Sequence, residues 1–302
     1  MTAIPFKREL EFQYGRCDSL SPLIRRVIAP NPGPFTFTGT GVYIVGHGTV
    51  AVIDPGPVLP EHEAALDAAL QGESVSHVLV THHHMDHSPL AARLAAKHGA
   101  KTYGRRPKPT EPSGGEVRME AGDDLGFRPD VEIADGDLFT GPGWTIEALH
   151  TPGHTSNHVC YALKEENVLF SGDHVMAWST SVVSPPDGHM GDYVRQLERI
   201  RKRGFARLWP THGPAVEEPD TFLDAYIAHR RERERQILAE LAKGNTKIRD
   251  MVASIYADVD KRLHPAAAHS VLAHIIHLVE RGEVTTSGTP GLESEYRLAR
   301  AA

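Results

Sequence analysis

Six consecutive positions hold four imidazoles and a carboxylate, His82-His83-His84-Met85-Asp86-His87. The apolar run 77–80 and Thr81 come just before them, and an Ala-rich helix is predicted over 88–98, so the cluster falls in a strand-to-helix loop. Such a loop can aim several side chains into one cleft. His82, His84, Asp86 and His87 supply three imidazoles and one carboxylate, a donor set that suits zinc and, less selectively, iron or manganese. Thiolates contribute nothing here. Cys17 and Cys160 are the only cysteines, so a metal must rely on nitrogen and oxygen, and Cys160 lies in an apolar strand that reads as core.

The same arrangement recurs down the chain. Asp54 ends the apolar run 50–53, His154 follows the predicted strand 144–149 in Thr151-Pro152-Gly153-His154, Asp173 follows 168–170 in Ser171-Gly172-Asp173, and His212 follows 207–209. Each of these residues follows an apolar strand, so a sheet can deliver all of them to one edge. Hairpins are predicted over 42–54 and 158–170, and helices over 61–70 and around Tyr193, Leu197 and Ile200, which makes the chain α/β. His83 is expected to point away from its neighbours, and His158, His174 and His189 to pack around the cleft. The Pro- and Gly-rich stretch 104–124, with Arg105 and Arg106, is a candidate substrate lid.

At these residues the chain resembles the metallo-β-lactamase superfamily of hydrolases. His82, His84, Asp86 and His87 match its His-x-His-x-Asp-His signature, His154, Asp173 and His212 its later motifs, and Asp54 its early aspartate. The resemblance spans 41–214 and implies an αββα sandwich. It also implies two divalent metal ions, zinc first with iron or manganese as alternatives. His82, His84 and His154 would hold one ion, Asp86, His87 and His212 the other, and Asp173 would bridge them. Asp86 and Asp54 are the candidate catalytic carboxylates, Asp54 acting behind the ligands as an acceptor that orients the loop. The implied reaction is attack by a metal-bridging hydroxide on an ester, thioester or related small-molecule bond. Two alternatives stay open: a metal-dependent endoribonuclease cleaving single-stranded RNA, and a mononuclear iron enzyme of the persulfide dioxygenase kind.

Beyond residue 214 the character changes to three predicted helices, 222–241, 248–256 and 266–281, and a hairpin at 284–298. This part resembles the winged-helix extension of the β-lactamase-like protein 2 branch, giving a catalytic domain at 1–220 and a small helical, winged-helix domain at 221–302. Residues 1–220 carry 20 basic against 28 acidic side chains, and the rest 12 against 11, which disfavours a broad nucleic-acid platform. The predicted helix 266–281 has a single arginine, Arg281, and the alternating charges of 230–235 suit a solvated helix with internal ion pairs. A small-molecule substrate is therefore the expected partner, with RNA and a homo-oligomer as further readings. No run approaches the roughly 18 apolar residues of a membrane span, and 1–15 lacks an export-signal stretch, so a soluble cytoplasmic protein is expected.

Overall fold

Strands that send alternate side chains to two covered faces build the layers of this protein. The structure, a computed structural model, describes residues 3–108 and 122–299. Among these, β1 (Cys17–Ser19), β2 (Ile24–Ile28), β3 (Gly41–Val45), β4 (Thr49–Ile53), β5 (Ser74–Leu79), β6 (Lys101–Gly104) and β7 (Val131–Glu132) form one sheet in chain order. Pairing is antiparallel up to β4 and parallel from there on. A second sheet comprises β8 (Leu138–Gly141), β9 (Trp144–His150), β10 (Val159–Leu163), β11 (Val168–Gly172) and β12 (Arg207–Pro210), antiparallel except between β11 and β12.

Alternate residues go to alternate faces. Tyr43, Val45, Ala51 and Ile53 of the first sheet meet Ile146, Ala148, Tyr161 and Phe170 of the second. Their neighbours Val42, Ile44, Val50 and Val52 pack under α1 (Pro60–Ala69) and α2 (Ala91–His98). On the far side, Cys160, Ala162 and Leu169 pack under α3 (Met190–Arg203) and α4 (Pro219–Ala242). Both faces of both sheets are thus covered, which gives the αββα sandwich. Cys160 is fully buried, and burial pushes its thiol up to about 12, so it is core.

The carboxyl-terminal part has its own apolar cluster. It joins Ile237 and Leu241 of α4 to α5 (Ile248–Ile255), α6 (His264–Glu280), β13 (Val284–Thr286) and β14 (Tyr296–Leu298). The first half of α4 belongs instead to the apolar cluster under the second sheet, through Phe222, Leu223 and Tyr226. One helix therefore serves both clusters. No described helix is long and apolar enough to cross a membrane.

Several local expectations need correction. Strands β1, β2, β6 and β8 add to those expected from the sequence. The second helix begins at Ala91 rather than residue 88, because Pro89 keeps Ser88 out of helical geometry, and the Ser88 hydroxyl donates to Asp124 Oδ2 at 2.8 Å. The charged run 230–235 is not wholly solvated. Arg230 and Glu234, one turn apart on the same face, are buried, and Glu234 reaches His277 at 2.8 Å and Arg281 at 3.1 Å. Most of the expected lid, 109–121, lies outside the described residues. Of its flank, Arg105 donates to Ile133 O at 2.7 Å and Arg106 lies 3.5 Å from Glu132, so both arginines serve the end of β7.

Candidate metal centre

Asp54 and every residue singled out as a ligand follow the carboxyl end of a strand: Asp54 after β4, 81–87 after β5, His154 after β9, Asp173 after β11 and His212 after β12. Asp54 adopts φ 49°, a left-handed turn that a short polar side chain tolerates. The chain leaves the strand there and the carboxylate turns back under the loop.

Asp54 is buried and, as a carboxylate, only accepts. Its Oδ1 takes Thr81 N–H at 2.7 Å, and its Oδ2 takes Thr81 Oγ1 at 2.7 Å, His87 Nδ1 at 2.9 Å and Thr211 Oγ1 at 3.1 Å. The one hydroxyl proton of Thr81 is therefore committed to Asp54. Its oxygen then accepts from His82 Nδ1 at 3.0 Å. His82 and His87 are in this way fixed with a proton on Nδ1 and with Nε2 turned to the centre. Main-chain carbonyls impose the same tautomer elsewhere, Gly39 O on His212 Nδ1 at 3.2 Å and Val182 O on His154 Nδ1 at 2.7 Å. His84 is reversed, with Nε2 3.4 Å from Asp123 Oδ1 and Nδ1 2.9 Å from His82 Nε2.

The inward atoms fall into overlapping groups. His82, His84 and His154 each bring one ligand atom within 4.8 Å of the others, as do Asp86, His87 and His212, and as do His82, His87 and Asp173. Asp173 stands between the first two groups. Its Oδ2 is 3.6 Å from His87 Nε2 and 3.9 Å from His154 Nε2, while Oδ1 is 3.5 Å from His212 Nε2. Asp86 Oδ2 lies 3.1 Å from His212 Nε2 and 3.5 Å from His87 Nε2.

This donor set fits cations. Among the described residues, the buried Asp86 Oδ1, His87 Nε2, Asp173 Oδ1 and His212 Nε2 make no hydrogen bond of good geometry. Buried polar atoms left this way are costly, and a shared cation offsets the cost. Charge points the same way. Burial and the surrounding imidazoles hold His82 well below its ordinary value. Burial opposes charge on His87 and His212 as well, yet Asp86, Asp173 and Asp54 carry His87 well above the usual range, and Asp173 with Asp86 lifts His212 to about 10. A metal entering that side displaces protons, so its affinity weakens as the medium becomes more acidic.

The remaining histidines take other places. His83 is buried against Asn157, 2.9 Å from its Oδ1, and joins none of the three groups. His158 lies behind the centre, accepting Asp173 N–H at Nε2 (3.2 Å) and facing Thr151 Oγ1 with Nδ1 (2.9 Å). His174 is buried against Tyr193 and pushed down to about 3 by burial. His189 is not in the cleft; it caps α3 and meets Glu280 of α6 at 2.9 Å. Sequence reasoning missed Asp123, Thr81 and Thr211 as partners of the ligands. The threonines stand next to His82 and His212, which was the available signal, whereas nothing near Asp123 pointed to its role.

Asp173 owes its position to Gly172. The glycine has φ 53°, and a Cβ there would sit 2.5 Å from His158 Nε2 and 3.1 Å from Thr81 Cβ. Gly172→Ala is expected to destabilise the fold by about 3 kcal/mol, the left-handed penalty and the overlap adding together. Urea unfolding checks it, and a midpoint unchanged from the parent protein would refute the account.

The family model described as Metallo-beta-lactamase superfamily matches residues 36–212, and that described as Beta-lactamase associated winged helix domain matches 248–291. A beta-lactamase-like protein 2 homolog of Drosophila melanogaster is 33% identical over 89% of this chain and 91% of its own length. An atrochrysone carboxyl ACP thioesterase of Cryptosporiopsis sp. (strain 8999) is 28% identical over 94% of this chain and 88% of its own. Among solved structures, a metallo-beta-lactamase family protein from Thermus thermophilus superposes with a TM-score of 0.72 at 22% identity, covering 93% of this chain and 100% of that one.

Proposed function

Because the chain belongs to the metallo-beta-lactamase superfamily, whose members usually bind divalent metals, we propose that it is a dinuclear zinc hydrolase acting on a small ester or thioester. The observation that carries the proposal is the pair of three-residue groups with Asp173 between them. His82, His84 and His154 would hold one ion, and Asp86, His87 and His212 the other, with Asp173 touching both. Two divalent ions there would supply a Lewis acid and make a bound water far more acidic than bulk water. The chain's own part is orientation. Asp54 and Thr81 keep the Nε2 lone pairs of His82 and His87 inward, and carbonyls do so for His154 and His212.

The cavity supports a small substrate. It measures about 390 Å³ and is lined by His84, Asp86, His154 and Asp173 together with apolar side chains such as Met176, Val183 and Tyr256. Arg230 is the one Lys or Arg among its described lining residues. A bound RNA strand would need several such side chains to neutralise its phosphates. The thioesterase name carried by the Cryptosporiopsis relative supports a thioester among the candidate bonds.

The test combines metal analysis with a substrate panel of thioesters, esters, lactones, phosphodiesters and single-stranded RNA. Two zinc ions per chain and turnover confined to carbonyl substrates are expected. Cleavage of RNA alone would replace this reading with the nuclease, and one iron per chain would replace it with the dioxygenase.

A further inference from the structure

The wall of the catalytic cavity holds a guanidinium that no acid neutralises. Arg230, on α4, is only 4% exposed, yet among the described residues it has no carboxylate partner. Its Nη2 donates to Ser181 O at 2.6 Å, its Nε has no hydrogen-bond partner, and its Cζ lies 5.1 Å from the centre of the Tyr193 ring. Glu234, one turn further along the same face, reaches His277 and Arg281 instead. The acids lining the cavity are Asp86 and Asp173, and both face the histidines of the metal centre. A buried cation without a counter-charge is costly, and the cost is recovered when a ligand brings the anion with it.

The rest of the cavity narrows the ligand. Phe35, Met176, Val182, Val183, Tyr256 and Leu263 present apolar surface, the last two from the carboxyl-terminal part. One guanidinium in apolar walls suits one planar oxyanion, which it can grip with paired N–H donors, better than a polyanion. We infer that Arg230 anchors a carboxylate at the far end of the acyl group, so that the site takes esters or thioesters of dicarboxylic acids. This rests on the hydrolase reading above. The metal centre would hold the reacting carbonyl at one end and Arg230 the free carboxylate at the other.

Binding can be read without turnover. Calorimetry on the zinc-loaded protein should compare straight-chain dicarboxylates from succinate to suberate with monocarboxylates of the same length. At least one dicarboxylate is expected to bind on the order of 10- to 100-fold more tightly than its monocarboxylate match, the range of a hydrogen-bonded charge pair. In Arg230→Met that ratio should fall to about one. A parent protein with no such preference at any length, or a Met variant that keeps it, overturns the inference. Should the Met variant fail to fold, the parent measurement still decides against the inference if the preference is absent. Arg230→Lys, which keeps the charge but loses the fork, is then expected to lower the ratio, and an unchanged ratio would overturn the inference. If the preference is present but no ester or thioester is hydrolysed, the hydrolase reading fails while the anchor stands.

Discussion

Asp173→Ala is expected to remove metal and turnover together. On the proposed reading two divalent ions would bring four positive charges into a buried space, and Asp86 and Asp173 are the only anionic residues in the three groups of inward ligand atoms. Removing Asp173 deletes one of these charges and the carboxylate that stands within 4 Å of His154 on one side and of His87 and His212 on the other. What remains is three imidazoles at one position and Asp86 with two imidazoles at the other, with nothing holding the two apart at a fixed spacing. At least one ion per chain should be lost on dialysis, and the rate should drop by about 10³-fold, since both the electrophile and the source of the nucleophile depend on the pair. Elemental analysis and kinetics on the same preparation read this. Two retained ions with a normal rate would contradict the bridging role of Asp173.

The candidate ligands stand out in the sequence because each follows the end of an apolar strand. The run 77–80 followed by His82, and 168–170 followed by Asp173, mark in sequence the place where backbone pairing ends and a side chain can turn into a cleft. The hairpin of β3 and β4 was equally plain, β-branched on both arms with glycines between. β2 was hidden because Arg25 and Arg26 interrupt it, and only the folded chain shows Arg25 reaching Gly46 O and Glu73. The groups that set the histidine tautomers were hidden for a different reason. Gly39 O and Val182 O are main-chain atoms, and a carbonyl has no signature in sequence. Arg230 was misread because charge alternation along a helix says nothing about which turn faces a neighbour. The spacing of 230 and 234 places both on one face, and that face turns inward toward the cavity and α6.

The second large effect is expected from a change of a single atom outside the ligand set. Asp54→Asn keeps the volume and the acceptor for Thr81 N–H, but places an NH₂ where Oδ2 receives three donors. Donor would then face donor at Thr81, Thr211 and His87. The threonine hydroxyls can rotate, and Thr81, released from Asp54, can donate to His82 Nδ1 instead of accepting from it. His87 can accept from the new amide through Nδ1. Both rings then carry their proton on Nε2, which points into the centre, so one histidine of each metal group is lost as a ligand. Partners behind metal ligands are worth about 10- to 100-fold in metal affinity, and a wrong tautomer behind a catalytic imidazole costs about 10⁴ in rate elsewhere. With two rings affected, zinc affinity should fall by about 100-fold or more and turnover by about 10³- to 10⁴-fold. Chelator competition measures the first, kinetics at saturating zinc the second, and nitrogen NMR of the imidazoles reads the tautomer directly. A variant with parental zinc affinity and Nδ1-protonated His82 and His87 would refute the role assigned to Asp54.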